Sequence, residues 1–116
     1  MKEKRPSLIL AILNLLRTNS DEKHPLRLSQ ISALLLPMNL HPTRKTITNN
    51  ISLLREAGFP LQYKHGWFYK HEFTVAELSF MIQLINSSNT YSEIQQDELV
   101  QKLKRMGSIY EVLSIT

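Results

Sequence analysis

The chain contains no cysteine. That absence excludes disulfides, thiolate nucleophiles, cysteine-ligated zinc and iron–sulfur clusters, and it suits a reducing compartment. Long apolar runs are missing too. The longest, residues 8–16, is nine residues interrupted by Asn14 and closed by Arg17, far short of the ~20 needed to span a bilayer. Behind Lys2, Lys4 and Arg5 this run imitates a secretion signal, but Thr18, Asn19 and Ser20 offer no small-x-small cleavage site. A cytoplasmic protein without membrane association is expected. No P-loop, nucleophile elbow or dinucleotide fingerprint occurs, paired carboxylates are lacking, and His24, His41, His65 and His71 have no ligand-like spacing. An enzyme, a cofactor and a metal site are therefore not expected.

What remains is 116 residues, 42% hydrophobic and 21% charged, the size and balance of one globular domain or a small domain with an appendage. Its charge is uneven. Residues 1–72 hold eleven Lys and Arg against five Asp and Glu, whereas residues 73–116 hold three against five. A basic front and an acidic back suggest an anionic partner for the first part and packing or assembly for the second.

Local signals divide the chain further. Pro6 and Ser7 open a helix reaching Arg17, with Leu8, Ile12, Leu15 and Leu16 on one face. A polar loop, residues 18–25, leads to a short extended segment at Leu26, Arg27 and Leu28. Ser29 suits an N-cap, Ile31, Leu34 and Leu35 form the next apolar stripe, and Pro37 stops that helix. Thr43 caps a third helix reaching Ala57, with Ile47, Ile51 and Leu54 buried and Gly58 just past its end. Residues 61–64 and 67–70 read as strands around a two-residue turn, His65-Gly66. Thr74-Val-Ala-Glu77 and Ser92-Glu-Ile-Gln95 are capping boxes that open two more helices.

The order helix, short strand, helix, helix, hairpin is that of a winged helix-turn-helix. The fold expected is mostly α with a small β-hairpin, followed by two C-terminal helices. In such proteins the second helix of the pair enters the major groove. At about 100° per residue, Lys45, Thr48, Asn49 and Ser52 fall opposite the buried stripe, with Arg44 and Thr46 on the flanks. Leu53 lies off the stripe and is expected to pack under the hairpin. Arg44 and Lys45 occupy a first turn that favours acids, each opposed by a dipole effect of about 0.3–1 kcal/mol; their presence makes sense if that helix end faces a phosphate. The candidate DNA contacts are Thr43, Arg44, Lys45, Thr46, Thr48, Asn49 and Ser52, with Lys64, His65 and Lys70 from the hairpin.

Residues 44–60, beginning Arg44-Lys-Thr-Ile and ending Leu54-Arg-Glu-Ala-Gly-Phe-Pro60, resemble the recognition-helix segment of the bacterial WYL-domain transcription regulators, which begin with a DeoR-like winged helix. Gly66-Trp-Phe-Tyr69 is similar to their wing, and residues 73–78 and 99–104 are similar to their post-wing helices. The resemblance implies a DNA-binding region of a transcription regulator that is either a piece of a longer chain carrying a ligand-sensing domain, its effector unknown, or a short form without that sensor. Family members often carry Tyr-Arg-Asp where this chain has Thr48-Asn49-Asn50, so the preferred DNA site is left open. Residues 109–115 have strand character and fit the first edge of that further domain.

The division expected is residues 1–72 as a winged helix-turn-helix, 73–108 as a helical extension and 109–116 as a tail. The partners expected are double-stranded DNA and a second copy of the chain. Leu78, Met81, Ile82 and Ile85 are the candidate dimer interface, and Phe80 and Leu84 widen that face; the alternative use of this face is to fold back onto the winged helix. The competing reading is a winged helix that binds a protein and no DNA.

Overall fold

The computed structural model describes residues 7–89 and 91–114. Among the described residues, six α-helices and one antiparallel hairpin fall into two compact units, Met1–Lys70 and His71–Thr116. The chain is mostly helical with a small two-stranded sheet, a winged-helix-like architecture.

In the first unit, α1 (Leu8–Asn19) buries Ala11, Ile12, Leu13, Leu15 and Leu16. Against them pack Ile31 and Leu35 of α2 (Leu28–Leu35) and Ile47, Ile51 and Leu54 of α3 (Arg44–Glu56), all nearly or wholly inaccessible to water. Helix α2 begins one residue before the expected cap. The Arg27 N–H donates to Oε1 of Gln30 at 2.8 Å, so a glutamine amide closes this end and Ser29 lies inside the helix. Pro37 falls in a 3-10 turn, Leu36–Met38, and Asn39 leaves it with φ 59°, a left-handed conformation that asparagine tolerates.

Helix α3 starts and stops as its sequence indicates. The Thr43 hydroxyl accepts from the Thr46 N–H at 3.2 Å. At the other end Gly58 (φ 100°) donates to the Arg55 carbonyl and Phe59 to the Leu54 carbonyl. Those are the two backbone bonds of a Schellman C-cap. Leu53 is not under the hairpin: it is 54% exposed, because the hairpin approaches the opposite flank of α3.

The hairpin pairs β1 (Leu61–Tyr63) with β2 (Trp67–Tyr69), in the register Leu61↔Tyr69, Gln62↔Phe68, Tyr63↔Trp67. Three residues, Lys64, His65 and Gly66, separate the strands, one more than expected, and the Lys64 N–H donates to the Gly66 carbonyl at 2.8 Å. His65 takes the left-handed position (φ 62°). Gly66 is required for another reason besides its φ of 152°: a Cβ there would lie 2.9 Å from the Leu26 carbonyl oxygen. Leu26 exchanges both backbone hydrogen bonds with Trp67, each 2.7 Å, and so adds a third short strand position beside the hairpin.

The loop expected between α1 and α2 is only partly solvated. Ser20 and Asp21 are buried. The Ser20 hydroxyl donates to the Leu16 carbonyl and accepts from the Tyr69 N–H at 2.9 Å, tying the end of α1 to β2. The Asp21 carboxylate accepts from the N–H groups of Lys23 and His24, both at 2.9 Å, which closes the turn.

The second unit contains α4 (Val75–Asn86), α5 (Glu93–Lys104) and α6 (Ile109–Ser114). Both expected capping boxes form, Thr74 with Glu77 and Ser92 with Gln95. Residues 109–114 are helical, not a strand. Ser108 and Glu111 make a third box: the Ser108 N–H donates to Glu111 Oε1 at 2.9 Å, and the Glu111 N–H donates to Ser108 Oγ at 3.2 Å. This local capping outweighs the strand tendency of the β-branched and aromatic residues that follow. Residues 109–114 of the expected tail are thus a helix of the same unit, 115 and 116 lying outside the described residues, and the described residues form three C-terminal helices where two were expected. The boundary falls at Lys70/His71, slightly before residue 72, because the His71 Nδ1 meets the Met106 carbonyl at 2.8 Å.

Leu78, Ile82 and Val100 form the core of this unit, with Phe73, Val75, Met81, Ile85 and Leu103 packed on them. Leu78 and Ile82 of the expected dimer interface are thus buried within this unit, with Met81 and Ile85 half-buried on them. Leu78, Met81, Ile82 and Ile85 are the side of α4 turned toward α5 of the same chain, and the residues left outward are Phe80 and Leu84, 61% and 56% exposed.

Candidate nucleic-acid interface

Helix α3 has two chemically distinct sides. Ile47, Ile51 and Leu54 hold it in the core, which fixes the direction of everything else on it. Lys45, Asn49 and Ser52 lie within about 60° of one another on the opposite side, and all three are exposed. Glu56 continues this line at the C-terminal end and is exposed as well. The line therefore runs from a cation at the positive end of the helix to an anion at its negative end. The N-terminal half is the electropositive end, where Arg44 and Lys45 add full charges to the helix dipole.

Hydrogen bonds within the helix separate committed groups from available ones. The Thr48 hydroxyl donates to the Arg44 carbonyl at 3.0 Å, so its remaining capacity is to accept. The Asn50 Nδ2 donates to the Thr46 carbonyl at 2.8 Å, which turns that amide back onto the helix. Thr46 is half-buried, its hydroxyl 2.9 Å from that of Thr43. The exposed Asn49 side chain, by contrast, makes no hydrogen bond to any described residue. Of the two amides that the sequence offers, only Asn49 is available for a bidentate contact.

The hairpin contributes at two separated places. Lys64 and His65 are exposed at the tip. Lys70 is exposed at the base, where its N–H donates to the Pro60 carbonyl at 2.8 Å. Three strand residues lie between tip and base, about 10 Å of extended chain, so Lys70 does not join the tip cations as one cluster.

Two residues missed by the sequence reading connect hairpin and helix. The Arg55 guanidinium lies over the Trp67 ring, 5.8 Å from its centroid. Tyr63 meets Trp67 edge to face, with centroids 5.1 Å apart and planes at 68°. Trp67 itself is half-buried against the core, as a packed aromatic. Arg55 stands on the same flank of α3 as Arg44 and Thr48, which places the hairpin beside the exposed line and at the C-terminal end of the helix. The one sequence signal for this contact was the arginine in the last helical turn ahead of an aromatic strand.

Among the described residues, no three His, Asp or Glu side chains converge as a metal ion would require, and no helix is long and apolar enough to cross a membrane. Comparison with models of protein families, with curated proteins and with solved structures finds no match to this chain.

Proposed function

We propose that the first unit binds double-stranded DNA with α3 in the major groove, as the DNA-binding module of a bacterial transcription regulator in the cytoplasm. The observation that carries this reading is the exposed line Lys45–Asn49–Ser52 at the positive end of a helix whose other side is locked in the core. The resemblance of residues 44–60 to the recognition-helix segment of the WYL-domain regulators supports the same reading. The activity is binding, with no bond made or broken.

Each side chain has a role that its hydrogen bonds allow. Arg44, Lys45 and the Thr43 hydroxyl donate to phosphate oxygens at the groove edge, with Thr46 beside them. Asn49 pairs with the N6 and N7 positions of adenine, the bidentate contact its amide matches. Ser52 reaches further across the groove, and Thr48 accepts from a base amino group. Lys64 and His65 lie along the sugar–phosphate backbone, and Lys70 meets backbone separately at the hairpin base. One module of this size binds weakly, so two copies occupy half-sites about one helical turn apart. The outward side of α4, carrying Phe80 and Leu84, is the apolar surface left for that pairing.

Selection of bound sites from a random duplex pool, followed by fluorescence anisotropy, tests the proposal. Binding weakens steeply as salt rises, because several phosphates are neutralised. The double variant Lys45→Ala, Asn49→Ala loses at least about tenfold in affinity, the equivalent of 1.4 kcal/mol, with an unchanged melting temperature. Equal binding by the double variant overturns the assignment of α3. A second reading rests on Leu53, a large apolar side chain more than half exposed beside the polar line: the same surface as a protein-binding site. It requires salt-insensitive capture of a protein and no DNA shift.

A further inference from the structure

The hairpin carries an aromatic residue that the proposed cationic contacts leave unused. Tyr63 is 67% exposed, although it sits in a paired strand and is large and apolar over most of its surface. It immediately precedes the tip residues Lys64 and His65. Its position is held from behind: the ring edge rests on Trp67, Trp67 is fixed by both backbone hydrogen bonds to Leu26, and Arg55 of α3 covers the indole. A continuous chain of contacts thus leads from the proposed reading helix to an outward phenol. That phenol offers a flat apolar face and one hydroxyl donor, the pair of groups that suits a deoxyribose with its adjoining phosphate.

We infer that Tyr63 is the wing's main contact on the sugar–phosphate backbone of duplex DNA, and that Arg55 and Trp67 are positioning residues that hold it at a set distance from Lys45 and Asn49. The inference rests on the DNA-binding reading and deepens it. Tyr63 donates its O–H to a phosphate oxygen while its ring lies against the sugar. The contact carries no base information, so its worth is the same on any duplex sequence. Arg55 touches no phosphate; it acts through Trp67.

The test uses the full chain, the selected duplex and a scrambled duplex of equal length. Trp67 is the chain's single tryptophan, so its emission reports the junction directly and changes when either duplex is added. Tyr63→Phe, which removes only the hydroxyl, weakens binding about threefold, the size of one net hydrogen bond. Tyr63→Ala weakens it about tenfold, by the same factor on both duplexes, as a contact without base readout must. Arg55→Met weakens binding while changing the salt slope by far less than the roughly one unit expected for loss of a phosphate contact. In the Arg55→Met background, Tyr63→Ala costs less than it does alone, because the two act through one chain of contacts. Melting temperatures of all variants separate these effects from unfolding.

Wild-type binding that Tyr63→Ala leaves intact, with Trp67 emission indifferent to DNA, overturns the inference and spares the recognition-helix assignment. A full unit lost from the salt slope in Arg55→Met makes Arg55 a direct contact and overturns its positioning role. Preferential binding of single strands, abolished by Tyr63→Ala, would recast Tyr63 as a base-stacking residue. Absence of any DNA binding by the unaltered chain removes the functional reading and this inference with it.

Discussion

The two units are held together by different means. Among the described residues, the first buries a cluster of twelve apolar side chains drawn from α1, α2, α3, β1 and the segment before α2, whereas the second buries three. The second compensates locally, with a Ser or Thr capping box at the start of each of its three helices. It also leaves Phe80, Leu84 and Ile94 largely in water. A deep core lets the first unit present a wholly polar line on α3 without losing the helix, because hydrophobic burial on one side fixes the other. A shallow core gives the second unit defined helices but little reserve, as expected of a module of about 45 residues.

Substitutions in each core probe this contrast most strongly. Ile51→Ala removes a fully buried side chain from the first unit and is expected to cost about 2–5 kcal/mol, read as a lower urea midpoint by Trp67 emission. Leu78→Ala removes an equally buried one from the second unit. With so few partners, it is expected to abolish the helical signal of that unit by circular dichroism while Trp67 emission stays native. Loss of both signals together in either variant would show one cooperative body and break the comparison.

A smaller effect tests the polar link in the first unit. Ser20→Ala leaves the Tyr69 N–H without the hydroxyl that accepts from it and is expected to cost about 1–3 kcal/mol. Because the link joins α1 to the wing, hydrogen exchange at β2 is expected to rise before exchange in α3 does. Equal acceleration in both would make Ser20 a general core contribution.

The smallest effect sharpens the account of the second unit. Thr74→Ala is expected to cost about 1 kcal/mol through the lost cap, with Trp67 emission unaffected. Hydrogen bonds from the Thr74 backbone and side chain hold the Glu77 carboxyl below its ordinary value of 4.5. A depressed folded value means that the stabilisation is complete above the ordinary value and is lost as pH falls through the lower, folded one. Acid should therefore loosen the start of α4 in the wild type, and Thr74→Ala should reduce that sensitivity. A helix signal with the same acid dependence in both proteins would place the titration elsewhere.

How far the fold could be read in advance follows the range of the signals. Thr43 and Gly58 mark both ends of α3 through bonds to near neighbours, and the periodicity of Ile47, Ile51 and Leu54 determines which side is outward. Lys45, Asn49 and Ser52 were therefore readable as exposed. Residues whose partners are distant in the chain were not. Ser20 reads as one more polar loop residue, yet it accepts from an amide 49 positions away. Leu53 was misjudged because helical spacing shows that a residue is off the stripe without showing which neighbour covers it. The same limit hid Arg55 on Trp67. The helix at residues 109–114 is a different case: Ser108 and Glu111 stood at capping-box spacing, and the aromatic and β-branched residues between and after them drew the reading toward a strand. Asn50 and Asn49 are equivalent in the sequence, and only the folded helix turns the Asn50 amide back to Thr46.

Gly66 presses against the backbone of Leu26 with no room for even one added carbon. Anyone seeking to retarget the wing therefore has Lys64 as its freely exchangeable tip position, because His65 holds a left-handed φ of 62° that favours Gly, Asn or Asp. A side chain at Gly66 would force apart the segment that leads into α2, and the first helix of the pair would shift with it.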